Sequence, residues 1–332
     1  MPVADSDLPP APPTDGGWRW TGVLQVVGSV GLLMWVFVGV GSGLRQAAHW
    51  HWGWAGAAML STAVMAALAG LRWTLMLRVQ GVRLPWHRVT AVSMAGLLLD
   101  AVLPGAAGGD VARALLLRRH GRVPVRLGLL TLVVDHLSGL LALVTLAIGF
   151  TAWRRDLLEA TPLGKAGVIY LAWFLLGAVG FTLFSLWASH ADRIKKMPAH
   201  LPGTSRVREL AGAFHAYAGA WRQGLAAALV SVPLMLAHFT TFYCGVRAVG
   251  VQVAWADVMA LMPVVDAVAL LPVSLSGLGV REALFAQVLG PDAAPGLAAI
   301  GSLLGHACLA LCGVAGWLWL ASIRRDGSSP DS

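Results

Sequence analysis

Charge is scarce in this chain. Only 12% of its 332 residues are Asp, Glu, Lys or Arg, and 57% are hydrophobic, where a soluble domain averages about 25% charged. That balance argues against a water-soluble globular protein. Cysteine is almost absent as well. Cys244, Cys308 and Cys312 all fall in apolar segments, which excludes a disulfide framework and leaves them as small packing residues. Long hydrophilic stretches are missing: the longest, about His190 to Gln223, is too short for a soluble catalytic domain. There is no nucleophile–base arrangement and no His-rich metal spacing. Gly277-Leu278-Gly279 lacks the strand and the remaining glycines of a dinucleotide fingerprint. The expectation is a protein that is not an enzyme, with no catalytic residues, no metal and no cofactor. A basic leader region is also lacking. Residues before Arg19 are Pro-rich with Asp5, Asp7 and Asp15, so a cleaved signal is not expected and residues 1–20 read as a disordered tail.

Long apolar runs are what the chain has in abundance. Thr21–Val40, Gly53–Met76, Val125–Phe150, Gly164–Ser189, Gly224–Val246 and Pro295–Leu320 each approach or exceed the roughly 20 residues that cross a bilayer core. Val89–Leu103 with Val111–Leu117, and Val258–Leu271 with Val280–Leu289, are shorter and read as helical hairpins that enter and leave by one side. The predicted fold is an all-α polytopic membrane protein. It has six full spans plus two oppositely oriented re-entrant hairpins forming an inverted repeat, or equivalently eight spans. The first half covers residues 21–190 with a hairpin at about 88–118, and the second covers 224–322 with a hairpin at about 254–290. Between them, at 191–223, Val207, Leu210, Phe214, Tyr217 and Trp221 share one face of a helix expected to lie along the inner leaflet. Residues 323–332 form a second tail.

Orientation follows from arginine. Basic residues gather at Arg72, Arg78, Arg83 and Arg88, at Arg113 to Arg126, at Arg193 to Arg208, and at Arg324 and Arg325. The alternate connections carry fewer or mixed charges, so both termini and these clusters are predicted to be cytoplasmic. Trp50, Trp52, Trp54, Trp153, Trp317 and Trp319 fall near span edges, as belt anchors do. The net charge of +8 therefore reports topology and contact with anionic headgroups, and no nucleic-acid partner is expected.

The two hairpins carry nearly the same phrase. Asp100-Ala101-Val102-Leu103-Pro104 precedes Gly108-Gly109-Asp110-Val111-Ala112-Arg113, and Asp266-Ala267-Val268 with Leu271-Pro272 precedes Gly277-Leu278-Gly279-Val280-Arg281-Glu282. Paired breaks of this kind in two halves mark a transporter's working centre. Glycines at a helix start leave backbone N–H groups and a partial positive charge that suit a phosphate, and Arg113 or Arg281 adds a bidentate guanidinium. Asp110 and Glu282 are expected to hold those arginines when no phosphate is bound. The alternative is that Asp110–Arg113 and Arg281–Glu282 are structural ion pairs. A charge at membrane depth costs about 3 kcal/mol even on the lenient scale, which points to function. The tips, Gly105–Gly109 and Ser274–Gly279, are expected to line a cavity open sideways to lipid, with both arginines facing in. Further ionisable residues lie at membrane depth: Asp135, His136, His238, His306, and the hairpin acids Asp100 and Asp266, which are candidates for proton coupling. Lone His238 and His306 read as hydrogen-bonded packing residues.

These residues resemble the lysylphosphatidylglycerol synthase transmembrane (flippase-like) family, over almost the whole chain. The resemblance rests on Leu103-Pro104-Gly105 with Gly108–Arg113, on Asp135, and on Gly277–Glu282. Two departures stand out: the middle-span Asp that the family pairs with Arg has His136 beside it here, and Asp100 replaces a common Asn. The resemblance implies movement of a phospholipid, a polyprenyl-phosphate-linked lipid or another envelope lipid between leaflets of a bacterial-type cytoplasmic (inner) membrane. It implies substrate contacts at Pro104, Gly108, Gly109, Asp110, Arg113, Asp135, His136, Gly277, Gly279, Arg281 and Glu282. A non-catalytic auxiliary subunit of an envelope-lipid biosynthesis system is the other reading, with lipid-synthesising enzymes or a second copy of the chain as partners.

The topology has a direct test. In a Cys-less background, Arg118→Cys is expected to react with a membrane-impermeant thiol reagent only from the cytoplasmic face and Arg247→Cys only from outside. Labelling of both from one face would overturn the inverted arrangement.

Overall fold

The computed structural model describes residues 34, 50–102, 108–190, 220–269, 277–289 and 295–326. The expected first span Thr21–Val40 (Met34 apart), both hairpin tips with Pro104, most of the expected interfacial helix and both tails lie outside those residues.

Every described element is a helix. In chain order they are α1 (Trp52–Val79), α2 (Trp86–Val102), α3 (Gly108–Gly121), α4 (Val125–Trp153), α5 (Arg155–Glu159), α6 (Pro162–His190), α7 (Trp221–Ala248), α8 (Trp255–Ala269), α9 (Val280–Val288) and α10 (Pro295–Asp326). Among the described residues four stretches, in α1, α4, α7 and α10, are long and apolar enough to cross a membrane. The hairpin helices α2, α3, α8 and α9 have 17, 14, 15 and 9 residues. The last helix runs to Asp326, beyond the expected start of the tail at residue 323, because Ser322 to Asp326 continue its hydrogen-bonded turns.

Local sequence explains where the hairpin helices begin and end. α3 has Asp110 in its first turn and Arg118, Arg119 and His120 in its last, charges that complement the helix dipole at each end. Ahead of α9, Gly277 and Gly279 take φ values of +78° and +90°, a backbone region open to glycine at no steric penalty. Glu282 folds back so that the Gly279 N–H donates to its Oε2 at 2.6 Å, the return half of a capping box.

Packing joins the halves along their long helices. α1 and α7 run antiparallel: Trp54 meets Tyr243 edge-on at 5.6 Å, Ser61 Oγ donates to the Ala237 carbonyl at 2.8 Å, and Arg72 reaches Ser231. α2 packs on α1 and α10 as α8 packs on α7 and α4, and α3 packs on α4 as α9 packs on α10. Contacts in one half thus have counterparts in the other. Glycine permits the closest approaches. A Cβ on Gly301 would lie 2.5 Å from the Val246 Cα, and one on Gly313 would lie 2.6 Å from the Leu98 nitrogen. Small residues are the usual means of bringing helices together where lipid is the solvent.

The halves differ in depth. In α8, Val258 to Met262, Val264 and Ala267 are fully buried, as expected of a helix apolar on all sides. In α3, Val111 and Leu115 are 43% and 49% exposed. Leu60, Ile148, Trp173, Leu229, Leu311 and Leu318 face outward on the longer helices, an apolar outer surface suited to lipid.

The tight α7–α10 crossing predicts that Gly301→Val will destabilise the protein by about 1–3 kcal/mol. Gly177→Ala, where an added Cβ meets nothing within 4 Å, is expected to leave stability unchanged or slightly higher. Unfolding midpoints in detergent compare the two, and a parental midpoint for Gly301→Val would contradict the close approach.

Candidate functional site

Three arginines anchor the polar interior. The first comes from α1. Arg72 donates from Nε and Nη2 to Asp135 Oδ1 and Oδ2 on α4, both at 2.7 Å, and from Nη1 to Ser231 Oγ on α7 at 3.1 Å. Both side chains of the ion pair are only 10% exposed. Gly139 makes the room, since a Cβ there would lie 2.9 Å from Arg72 Nη1. The pair is a bidentate fork. It revises two sequence expectations. Arg72 is an interior residue, although its place in a basic cluster suggested a topology signal. Asp135 takes Arg72 from another helix, while its neighbour His136 turns elsewhere. The available signal was the predicted span Gly53–Met76, which already contains Arg72.

The second arginine belongs to the first hairpin. Arg113 is ion-paired through Nη2 with Asp100 on α2, and donates from Nη1 to Asp110 Oδ1 at 3.2 Å. Asp110 also faces His136 on α4, with 3.5 Å between Oδ2 and Nε2. Glycines again clear the space: a Cβ on Gly96 would strike the Arg113 side chain, and one on Gly109 would strike the Asp100 carboxylate. The expected Asp110–Arg113 pair is therefore present, and Asp100 joins it. Of the break itself, Gly108 opens α3 and Gly109 is buried.

The third arginine is in the second hairpin. Arg281 lies 3.9 Å from Asp266 Oδ1, donates from Nη1 to His306 Nδ1 at 3.0 Å, and sits over the Phe242 ring at 4.7 Å. His238 Nε2 is 3.6 Å from Asp266 Oδ2. Glu282 does not hold Arg281, contrary to expectation. Adjacent helix residues point apart, and Glu282 instead accepts from Gly279 N–H and from Ser302 Oγ at 3.0 Å. That cap occupies the Gly279 donor that was expected to meet a phosphate. His238 and His306 are hydrogen-bonding or facing the hairpin charges, a closer involvement than packing.

Each half thus contributes ionisable side chains from four successive helices. In the first they are Arg72, Asp100, Asp110 with Arg113, and Asp135 with His136; in the second, His238, Asp266, Arg281 with Glu282, and His306. The same number of residues separates Arg72 from Asp100 as His238 from Asp266.

A cavity of about 680 Å³ lies between them. Arg72, Asp110, His136 and Asp266 reach its wall, and the rest is apolar, including Val133, Leu140, Phe174 and Met235. It is of ordinary ligand-site size, with few polar groups on an apolar lining. Arg113 faces a separate pocket of about 60 Å³ shared with Arg72, Asp135 and Ser93. Neither Arg113 nor Arg281 lines the larger cavity, and neither do Gly109, Gly277 or Gly279 among the described residues. The expected inward-facing arginines are turned instead into ion pairs, because each has an acid from its own hairpin within reach. No three His, Cys, Asp or Glu side chains converge to hold a metal among the described residues.

Long apolar helices enclosing paired charges define a multi-pass helical membrane protein with a polar site inside its helix bundle. The chain belongs to the lysylphosphatidylglycerol synthase transmembrane family: the family model described as the lysylphosphatidylglycerol synthase TM region matches residues 22–316. No curated protein matches the chain. Membership ties the protein to a membrane lipid-related role.

Removing one partner of the central pair leaves a buried charge uncompensated. Arg72→Met is expected to destabilise the protein by about 3–5 kcal/mol, and Arg72→Met with Asp135→Leu to recover most of the loss. Detergent unfolding of the two single variants and the double variant checks this. A double variant as unstable as Arg72→Met would show that the pair is not the unit of stability.

Proposed function

We propose that the protein is a translocator that moves a phosphate-bearing lipid between the leaflets of a bacterial-type cytoplasmic membrane, with both termini in the cytoplasm and no enzymatic activity of its own. The cavity is the observation that carries this reading: Asp110 of one hairpin and Asp266 of the other meet in it with Arg72 and His136. Charged groups cost too much in hydrocarbon to line an apolar cavity without a polar visitor. Val111 and Val133, both lining residues, are 43% and 40% exposed, which suits a cavity open sideways so that tails remain in the bilayer while the headgroup crosses.

The two halves act as an inverted repeat whose hairpins dip from opposite faces. The antiparallel run of α1 and α7 and the matched helix contacts support that reading, and rocking one half against the other gives alternating access. A phosphate displaces Asp100 and Asp110 from Arg113, and in the opposite state Asp266 from Arg281. One observation favours an auxiliary, non-transporting subunit instead: both hairpin arginines are held in internal pairs.

Proteoliposomes distinguish the two. Arg113→Ala and Arg281→Ala are each expected to slow leaflet exchange of labelled phosphatidylglycerol about tenfold or more, a loss of roughly 1.4 kcal/mol or greater. Arg→Lys should restore only part, because an ammonium cannot make the bidentate contact. Parental rates in both alanine variants, at unchanged yield, would make these arginines structural.

A further inference from the structure

His136 faces two acceptors at once. Its Nδ1 lies 2.8 Å from the Leu132 carbonyl oxygen, which has no proton to give, so Nδ1 carries the hydrogen. Its Nε2 lies 3.5 Å from Asp110 Oδ2. A neutral imidazole with its hydrogen on Nδ1 would leave a bare lone pair 3.5 Å from that carboxylate. The arrangement is attractive only when one further proton resides on Nε2 or on Asp110. The ring is 58% exposed and, with Asp110, reaches the wall of the cavity, so water can deliver that proton.

We propose that Asp110 and His136 form a proton-binding site that couples lipid exchange to pH, an inference that rests on the translocator reading. The reaction is a protonation alone: a hydronium ion in the cavity gives its proton to the Nε2 lone pair and leaves as water, and no bond of the chain breaks.

Charged groups reach the pair from several of the helices packed around it. Arg113 on α3 contacts Asp110 at 3.2 Å, and Asp100 on α2 lies behind it. Arg72 on α1 is matched by Asp135 on α4. Across the cavity, Asp266 on α8 faces Arg281 and His238. α6 and α7 present uncharged Phe174 and Met235 to the cavity, and Glu282 turns to Ser302. Asp100, Asp110, Asp135 and Asp266 outnumber Arg72, Arg113 and Arg281 by one charge, which a proton on the pair offsets.

His306, which takes the place of His136 in the second half, is held in the opposite state. Arg281 Nη1 donates to His306 Nδ1, and a guanidinium can only donate. Nδ1 is therefore bare, and a proton there would break the bond and place two cations side by side. The His136 ring can take the proton while His306, its counterpart on α10, excludes one; His238 stands to Asp266, at 3.6 Å, as His136 stands to Asp110.

The sign of the coupling follows. An ionised Asp110 at the wall repels an incoming phosphate, and protonation neutralises the pair. Exchange should therefore accelerate as pH falls on the side to which the cavity opens, by at most about tenfold per pH unit for one proton.

Two measurements on the full chain test this. In nanodiscs of phosphatidylglycerol and phosphatidylethanolamine, ¹⁵N-histidine labelling followed from pH 8 to pH 6 should show the second His136 ring nitrogen becoming protonated. His136→Gln assigns that signal, and Asp110→Asn should return the ring to its neutral form. A neutral His136 ring at pH 6 beside an ionised Asp110 would overturn the site. In vesicles of the same lipids, exchange of labelled phosphatidylglycerol should be faster at pH 6 than at pH 8, with a ratio near one in His136→Gln. Equal parental rates at the two pH values, or an undiminished ratio in His136→Gln, would overturn the coupling. If the parental protein exchanges no lipid at either pH, the translocator reading fails and coupling fails with it, while the nitrogen signals still decide the proton site.

Discussion

An ionised side chain surrounded by hydrocarbon must find its counter-charge within the protein, and the arrangement of this bundle follows from that requirement. Arg72, Arg113 and Arg281 each meet carboxylates, from a second helix in all three cases. Because both partners of such a pair are strongly destabilised if separated, α1 is tied to α4, α2 to α3, and α8 to α9. The apolar packing of these helices is non-directional and would tolerate sliding. The charged contacts fix register, and so determine which residues reach the cavity.

Glycine makes those contacts geometrically possible. The same residue type that lets α7 and α10 touch backbone to backbone also clears volume for guanidinium and carboxylate groups at Gly96, Gly109 and Gly139. A helix bundle of larger residues would hold its axes too far apart for a side chain to bridge them. Steric absence and electrostatic pairing are therefore one device, and the glycine-rich composition of the chain, with 39 glycines, has a local use at each charged site.

The two halves share a plan and differ in surroundings. The middle of α8, Val258 to Val265, is enclosed on all sides, whereas α3 exposes Val111 and Leu115. Arg281 has an aromatic ring and a histidine around it, and Arg113 has two carboxylates. Equal elements in unequal environments are what an alternating cycle of the proposed kind needs at any one moment, since one half must be engaged while the other is not.

Much of the fold was legible in the chain itself. Gly53–Met76 anticipates α1, Pro295–Leu320 lies within α10, and the Pro/Gly breaks separate α2 from α3 and α8 from α9, because hydrophobic length and helix-breaking residues act locally. The ionisable residues of the interior were legible too, as charges are conspicuous in an apolar sequence. Their partners were not. Arg72 looked like one of several cytoplasmic arginines, and Asp135 had only His136 beside it in the chain, until folding brought α1 against α4. Glu282 followed Arg281 in sequence but caps its own helix, and the arginines expected to face the cavity turned to acids on neighbouring helices. The sequence by itself determined which groups must be neutralised and roughly where helices start and stop. Only the tertiary structure decided which charge answers which, because an ion pair depends on a few ångströms between helices distant in the chain, and no local spacing encodes that distance.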